Sequence, residues 1–245
     1  MDDSLNVLVV GATGRTGSQI VDKLYNAGHT VHALVRDRAK AQQQQLLAPN
    51  IHLVEYNLQD YSGYDTIVKD VDVLIYAAGS TSFGNFWFGK NKPKHIDYQS
   101  VRQMALAAEN HKVKQFILIS SMGVTHPFFF LNLYGRLLTW KLRGENALRS
   151  TQLNYVIIRP GKLVDEGFSI ESCALYQDDS IRNQDISREE VAEIVRQCVA
   201  NPELLRVTFE VVREKDPTSE TLSSKFACLI PDENRNRYSQ TKVSI

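Results

Sequence analysis

The stretch "VVGATGRTGSQI" constrains the fold of this chain more than any other, because it places three glycines at intervals of three residues. Gly11, Gly14 and Gly17 lie between an apolar run and an amphipathic stretch. A strand that enters a helix through such a turn lets the backbone approach a phosphate, and the helix directs its free N–H groups and positive dipole end at that charge. Glycines also serve ordinary strand-to-helix connections, so the turn alone leaves a phosphate-binding and a purely structural role open.

Alternating strand-like and helix-like patterns predict the fold class. Apolar, β-branched runs predict strands at residues 5–10, 30–35, 51–55, 71–76, 115–120, 155–159 and 207–212. Amphipathic patterns predict helices at residues 17–27, 39–47, 64–69, 97–110, 133–150 and 188–200, with Ser187 and Glu190 as a capping box before the last of them, and a surface helix near 222–229. This alternation is typical of a doubly wound α/β fold with a mostly parallel sheet covered on both faces.

Charge and cysteine content narrow the partners and the compartment. Lys+Arg and Asp+Glu number 28 each, and this balance argues against nucleic acid and anionic membrane surfaces as partners. Cys173, Cys198 and Cys228 are far apart and match no zinc-binding spacing, so we expect no metal and a cytoplasmic or other reducing soluble compartment. The acidic N-terminus is unlike a signal peptide, and no run reaches the roughly 18 apolar residues of a transmembrane segment.

The end of the second predicted strand indicates which dinucleotide the glycine turn would bind. In NAD-binding sheets this strand ends near an acid that accepts the 2′-hydroxyl of the adenosine ribose. Here it is followed by Arg36, a side chain that suits the 2′-phosphate of NADP, with Arg15 and Arg38 as potential helpers. We therefore predict NADPH in preference to NADH. A solvated arginine at a strand end is the alternative reading of Arg36.

Several motifs in a fixed order give the chain a family resemblance. They are "GATGRTG" at 11–17, "ALVRD" at 33–37, "NLQD" at 57–60, "AAG" at 77–79, "ILISSMGV" at 117–124, "WKLRGENALRSTQLNYVIIRPG" at 140–161 and "ISREEVAEIV" at 186–195. With them the chain resembles the atypical short-chain dehydrogenases/reductases of the NmrA-like group, which are NAD(P)-binding Rossmann proteins. The likeness covers most of the chain. Asn57 departs from the pattern, since the family more often has Asp there.

The resemblance implies an extended NAD(P) across the carboxyl edge of the sheet, with adenine near Asn57 and Leu58. We expect one NAD(P)-binding domain over residues 1–245, with a core at 4–160, a portion that shapes the substrate pocket at 161–230 and a loose tail at 231–245. The predicted cofactor-binding residues are Gly11, Thr13, Gly14, Arg15, Thr16, Gly17, Arg36, Asn57, Leu58, Ala77, Ala78, Gly79, Ser120, Lys141, Pro160 and Gly161.

The catalytic motif of the larger superfamily is incomplete in this chain. Active reductases there pair a tyrosine with a lysine four residues later on one helix, and the lysine lowers the pKa of the phenol that donates a proton. Lys141 takes the position of the lysine, but Leu137 stands where the phenol belongs. Tyr134 lies about 10 Å before Lys141 along a helix instead of about 6 Å, so we do not expect it to replace the phenol. Lys141 keeps a predicted role in binding the nicotinamide ribose; an exposed helix lysine is the alternative.

Ser120 and Ser121 end a predicted strand at the same edge and are, with Lys141, the predicted catalytic residues. Their hydroxyls would orient a carbonyl or the nicotinamide amide, or they would only satisfy backbone groups. Aromatic clusters at residues 83–89 and 125–134 would form a slot for a flat substrate, or cover the core, a partner surface or a membrane surface. His126 lies in the second cluster, where a structural role is the more common one for a lone histidine.

Two function classes follow from these features. The first is an NADPH-dependent reductase of a planar acceptor such as a quinone, a flavin or an aromatic carbonyl, because direct hydride transfer to a ring needs positioning more than a strong acid. The second is a non-catalytic NADP(H)-binding redox sensor or assembly/regulatory protein with a protein partner. The missing tyrosine favours the second class, whereas Lys141, the serines and the aromatic clusters favour the first. Substrate and oligomeric state stay open.

Overall fold

A mostly parallel sheet of eight strands forms the centre of the computed structural model, which describes residues 4–43, 46, 48–80, 92–126, 136–167, 169–180, 182–214 and 220–235. The strands of the fold are β1 (Asn6–Val10), β2 (Thr30–Val35), β3 (Ile51–Glu55), β4 (Val73–Tyr76), β5 (Gln115–Ile119), β6 (Tyr155–Pro160), β7 (Lys162–Val164), β8 (Cys173–Tyr176), β9 (Asp185–Ser187) and β10 (Val207–Arg213). The central sheet has the order β3-β2-β1-β4-β5-β6-β10-β8, and only β8 runs antiparallel to its neighbour β10. Strands β7 and β9 form a separate parallel pair.

Helices connect the strands and cover the sheet. They are α1 (Arg15–Asn26), α2 (Arg38–Gln43), α3 (Tyr64–Ile67), α4 (Val101–Asn110), α5 (Leu137–Arg149), α6 (Arg188–Val199) and α7 (Leu222–Ala227). A π-helical segment, Lys94–Ser100, runs directly into α4, and short 3₁₀ turns occur at Tyr61–Gly63, Ile170–Ser172 and Asp232–Asn234.

Each face of the sheet has its own hydrophobic core, because successive side chains of a strand point to opposite faces. Val7 and Val9 of β1 belong to the core that also holds the buried side chains of α1 and α6. Leu8 and Val10 belong to the core that holds those of α4 and Leu148 of α5. The predicted doubly wound α/β fold, with helices on both faces of a mostly parallel sheet, is therefore confirmed.

The strand order reverses beside β1, and this reversal locates the ligand crevice. Strand β1 pairs with β2 on one side and with β4 on the other. In open α/β sheets, ligands bind outside the carboxyl ends of the strands at such a switch point. The glycine turn after β1 and the segment after β4 both lie there.

The seven predicted strands are all present, with ends within two residues of the prediction. The predicted capping box is also present: the Ser187 hydroxyl accepts from the Glu190 amide at 3.1 Å, and the Glu190 carboxylate accepts from the Ser187 amide at 2.7 Å. The surface helix expected near 222–229 is α7. The short strands β7, β8 and β9 were not predicted, since three or four residues carry too little periodicity.

Several element ends differ from the prediction, and three of the differences concern the start of α5, the start of α4 and the tail. The helix predicted from residue 133 begins as α5 at Leu137, because Arg136 adopts a left-handed conformation with φ of 61°. The first four residues of the helix predicted over 97–110 belong to π-helical turns that begin at Lys94, and α4 begins only at Val101. The tail expected to be loose from residue 231 is packed at its start, where Asp232 is buried and accepts from the Thr208 hydroxyl at 2.5 Å.

Candidate functional site

The glycine turn packs backbone against backbone more closely than side chains allow. Gly11 has φ of +84°, and a Cβ there would lie 2.8 Å from the Ala78 Cα atom. A Cβ on Gly17 would overlap the Gly11 carbonyl oxygen, so this glycine lets α1 sit on the end of β1. Two of the three glycines therefore have a structural role of their own. They also bring the turn after β1 against the segment after β4.

Gly14 is the glycine that faces outward. It is the exposed N-cap residue of α1, and a Cβ there would meet only the Gly11 carbonyl oxygen, at 3.0 Å. No side chain caps the helix at Gly14, and the first turn of α1 contains no acidic residue. An exposed, uncapped N-terminus with only backbone beside it suits the phosphates of a dinucleotide.

The other predicted cofactor residues lie at the ends of neighbouring strands. Arg36 follows β2 and is exposed. Asn57 and Leu58 follow β3, where the Asn57 Oδ1 atom accepts from the Gln59 amide at 3.2 Å and the Leu58 carbonyl accepts from the Tyr64 hydroxyl at 2.6 Å. These contacts hold the chain after β3 in place beside the end of β2.

The chain after β4 and the chain after β7 both approach the region of the glycine turn. The segment of Ala77, Ala78 and Gly79 extends β4 along β1, since the Ala77 amide donates to the Val10 carbonyl at 2.9 Å. Arg15 and Thr16 are the first two residues of α1. The Arg15 guanidinium lies 3.3 Å from the carboxylate of Asp165, which directly follows β7.

Lys141 lies inside a small cavity at the carboxyl ends of β4 and β5 and forms an ion pair there. Its Nζ atom is 2.9 Å from the Asp97 Oδ1 atom, and the side chains are 15% and 1% exposed. The cavity is lined by Tyr76, Ala78, Asp97, Val101, Leu118, Ile119, Ser120 and Lys141. The structure thus brings two predicted catalytic residues, Lys141 and Ser120, to one cavity with Ala78 of the predicted cofactor path. The alternative of an exposed helix lysine is wrong for Lys141.

Ser120 and Ser121 differ in their surroundings. Ser120 is buried, its amide donates to the Ile158 carbonyl at 2.8 Å, and its side chain lines the cavity. The Ser121 hydroxyl donates to the Met122 carbonyl at 3.1 Å, so it serves the local backbone. Of the two serines, Ser120 has the position from which a hydroxyl reaches the cavity.

Pro160 and Gly161 are held by neighbouring chain segments at the end of β6. The Gly161 amide donates to the Val211 carbonyl at 2.9 Å, and a Cβ on Gly161 would lie 2.6 Å from the Gln184 carbonyl oxygen. The Pro160 carbonyl accepts from the Met122 amide at 3.0 Å. This edge is therefore rigidly packed between the chain after β5 and the chain before β9.

A buried group of charges lies behind Ser120. Arg159 is 1% exposed and donates to both carboxylate oxygens of Glu145, at 3.1 and 2.7 Å, and to Glu210 at 3.0 Å. It also donates to Asp179. Burial alone would raise the pKa of Glu145, but the guanidinium groups of Arg159 and Arg149 lower that pKa to about 2.

Glu210 in this group behaves in the opposite way. Burial raises its pKa to about 7, because the attraction of Arg159 does not offset the loss of solvation and the repulsion from Asp179. None of these charges was predicted from the sequence. Arg159 lies in a predicted strand and Glu145 in a predicted helix, where charged residues usually face solvent.

Some predicted features lie outside the described residues. These are Tyr134 and the aromatic residues at 83–88 and 128–130. His126 is described, and its Nε2 atom lies 2.8 Å from the Asp179 carbonyl oxygen, which fits the structural reading of this histidine.

Within the described ranges, no three His, Cys, Asp or Glu side chains are grouped so that they could hold a metal ion. None of the helices in the part of the chain that the structure describes is long and apolar enough to cross a membrane.

Comparison with known families and proteins agrees with this geometry. A sequence model of the family described as NAD(P)H-binding matches residues 11–202, which is more than half of the chain. A solved structure from Bacillus halodurans, described in its name as an NAD-dependent epimerase/dehydratase, is similar with a TM-score of 0.77 and 27% identity. That likeness covers 87% of this chain and 96% of the other.

Two curated relatives extend the comparison. Protein TIC 62, chloroplastic, from Pisum sativum is 28% identical over 263 residues, which cover 99% of this chain and 49% of that protein. Sanguinarine reductase from Eschscholzia californica is 25% identical over 244 residues, covering 84% of this chain and 88% of the relative. The chain thus spans about half the length of the pea protein and most of the length of the reductase.

The raised pKa of Glu210 predicts how stability changes with pH. The folded protein keeps this proton up to a pH of about 7, whereas the ordinary pKa of 4.5 applies in the unfolded chain, so ionised Glu210 lowers stability as pH rises between these values. Glu210→Gln keeps an oxygen for Arg159 and removes the charge. We expect the free energy of unfolding of this variant, relative to the unaltered protein, to increase by about 1 kcal/mol or more from pH 5 to pH 8 in urea titrations. Exposed Glu203→Gln is the control, and the same pH dependence in both variants would contradict the prediction.

Proposed function

This chain belongs to the NAD(P)H-binding family, and from that premise we propose that it is an NADP(H)-dependent reductase of the atypical short-chain type whose acceptor is planar. The acceptor class is a quinone, a flavin or an aromatic carbonyl. The observation that supports a bound dinucleotide most directly is the exposed and uncapped N-terminus of α1 at Gly14, next to the contact between Gly11 and Ala78. Sanguinarine reductase, a relative over most of both chains, supports the reductase class.

The cofactor is proposed to cross the carboxyl edge of the sheet from β3 to β5. Gly14 with Thr13 and Thr16 would hold the pyrophosphate, and Arg36 the 2′-phosphate, with Arg15 and Arg38 as helpers. The adenine would lie near Asn57 and Leu58. The path to the nicotinamide would follow residues 77–79 towards Ser120, Lys141, Pro160 and Gly161. A bound NADPH supplies a hydride, and the residues of this chain would bind the cofactor and orient the acceptor.

The missing phenol decides which acceptors are suitable. Leu137 has no proton to donate, so an alkoxide formed from a simple ketone would lack its usual acid. A planar acceptor that delocalises negative charge over its ring needs less help from an acid. Ser120 is proposed to orient the acceptor or the nicotinamide amide, and Lys141 to hold the nicotinamide ribose, because both side chains reach the cavity at the ends of β4 and β5.

A non-catalytic NADP(H)-binding sensor or assembly protein is the second candidate. It is supported by Leu137, which leaves the tyrosine–lysine pair of active reductases incomplete. For either candidate, we propose a reducing compartment, because buried Cys173 and Cys198 are free thiols in the described part of the chain and pea TIC 62 is named chloroplastic. Burial raises the pKa of the Cys173 thiol to about 12, so it stays protonated and unreactive.

Substitution of Gly14 tests the phosphate site with the least damage to the fold. A side chain at Gly14 meets one backbone atom, whereas Gly11 needs a positive φ and Gly17 has no room. We expect Gly14→Val to weaken NADPH binding at least about tenfold in calorimetry, because the side chain would occupy the space of a phosphate. The control is Asn26→Val, an exposed change at the other end of α1. Unchanged affinity in a folded Gly14→Val protein would refute the phosphate site.

Arg36 tests the choice between NADPH and NADH. A charge-assisted hydrogen bond to phosphate contributes about 1.5–3 kcal/mol, so Arg36→Ala should reduce the preference for NADPH about tenfold or more and leave NADH affinity nearly unchanged. Arg102→Ala, an exposed arginine on α4, serves as the control. The two dissociation constants are compared by fluorescence titration. Equal affinities for NADPH and NADH in the unaltered protein would rule out the proposed preference.

Turnover separates the two candidate functions. We expect NADPH oxidation with quinones or flavins and negligible reduction of aliphatic ketones, since general acid catalysis typically supplies about 10²–10⁴-fold. In stopped-flow measurements, Ser120→Ala and Lys141→Ala should slow oxidation strongly, while Ser121→Ala and Tyr134→Phe should change it little. Loss confined to Tyr134→Phe would instead identify that phenol as the acid. Tight NADPH binding without oxidation by any acceptor would favour the sensor or assembly protein.

A further inference from the structure

Asp97 is a buried carboxylate at the proposed site that the sequence did not single out. Its side chain is 1% exposed. One carboxylate oxygen lies 2.9 Å from the Lys141 Nζ atom, and the other accepts from the Ser80 hydroxyl at 2.6 Å and from the Ser80 amide at 3.3 Å. Removing a carboxylate from water is costly unless it is paired and hydrogen-bonded. One oxygen of Asp97 is ion-paired with Lys141, and the other is hydrogen-bonded to Ser80.

The two partners of Asp97 belong to different parts of the proposed site. Ser80 directly follows the residues 77–79 along which we place the cofactor, and Lys141 lies on α5. A Cβ on Gly79 would lie 3.5 Å from both the Asp97 carboxylate and the Lys141 ammonium, so the ion pair directly faces that segment. Asp97 therefore connects the chain after β4 with the lysine.

The backbone around Asp97 is fixed from two sides. It belongs to the π-helical segment Lys94–Ser100, where the Ile96 carbonyl accepts from the Tyr76 hydroxyl at 2.8 Å. On the other side a Cβ on Gly144 would overlap the Asp97 carbonyl oxygen, so the glycine lets α5 pack directly on this segment. A glycine inside a helix is destabilising relative to alanine, and this close contact is a structural reason for a glycine at this position. Lys141 is one turn before Gly144, so this packing sets the distance of the ion pair.

Resting on the proposed function, we propose that Asp97 is the positioning residue of Lys141. It holds the ammonium group at the cavity and ties it to the chain that would carry the cofactor. A lysine side chain has four methylene groups and loses rotamer freedom only where its end is bound. Asp97 acts through Lys141 and does not itself touch the acceptor.

The first experiment observes Lys141 without any turnover. Lysine-labelled protein is studied by ¹⁵N NMR of the ammonium groups at low temperature, with the Lys141 signal assigned by its loss in Lys141→Arg. An ordered, ion-paired ammonium gives a resolved signal, while exposed ones exchange with water too quickly. We expect this signal in the unaltered protein and in Asp97→Glu, and its loss in Asp97→Asn. Its absence from the unaltered protein would overturn the inference, even if Asp97→Asn did not fold.

A matched control comes from the opposite edge of the sheet. Asp72 pairs with Lys114 at 2.9 Å between the starts of β4 and β5, far along these strands from the cavity. Asp72→Asn removes a carboxylate from a lysine in the same way and should leave the Lys141 signal unchanged. Loss of the Lys141 signal in this control too would mean general loosening of the fold and would contradict a specific role of Asp97.

The second experiment measures what positioning does. Asp97→Asn should raise the dissociation constant of NADPH at least about threefold and lower kcat about 10- to 100-fold with little change in KM for the acceptor, because small displacements of a positioning group affect kcat strongly. Asp97→Glu should recover most of both losses, and Asp72→Asn should show neither. If the unaltered protein oxidises no acceptor, the reductase proposal fails alone, and the ammonium signal and NADPH affinity still decide the role of Asp97. Unchanged signal and affinity in Asp97→Asn would refute it.

Discussion

The contact of bare backbone at Gly11 is the constraint on which the rest of this structure depends. Ala78 approaches Gly11 on one side and Gly17 of α1 approaches its carbonyl oxygen on the other, at distances that a Cβ would not permit. As a result α1 begins close to the end of β1, and the chain after β4 passes directly beside it. The open N-terminus at Gly14 and the edge residues 77–79 thus share one crevice, at the point where the strand order reverses.

A second close contact carries this arrangement from the glycine turn to the lysine. Gly144 brings α5 against the carbonyl group of Asp97, and the carboxylate of Asp97 then joins Lys141 to Ser80. Asp97 belongs to the π-helical segment Lys94–Ser100, so this segment is part of the contact. Turns of this kind frequently occur at functional sites. Close contacts at glycines therefore fix the pyrophosphate part of the proposed cofactor path and its nicotinamide end.

Behind the cavity, a buried cluster of charges holds the remaining wall in place. Arg159 at the end of β6 bonds Glu145, which lies one turn after Lys141 on α5, and Glu210 on β10. It also donates to the carboxylate of Asp179 in the segment after β8, and the Asp179 carbonyl oxygen contacts His126. The Arg159 guanidinium thus links α5, two strands and a loop. Removing one partner of a buried ion pair leaves an uncompensated buried charge. Burial and the Asp179 carboxylate raise the pKa of Glu210, and the attraction of Arg159 offsets only part of that rise.

The sequence by itself determined the order of seven strands and of the helices between them, the glycine turn and the two hydrophobic faces, because these depend on local periodicity and on the backbone freedom of glycine. It also marked Ser120, Lys141 and the absence of a phenol at Leu137, since one-dimensional spacing is enough to compare a motif. Only the tertiary structure decided that Lys141 is paired with Asp97, that Ser121 serves its own backbone and that Arg159 is buried among carboxylates. Asp97 and Lys141 are 44 residues apart, and no local pattern reports which charges two packed helical segments bring together. Burial then decides which of these charges have partners, because an unpaired charge in the interior is too costly to persist.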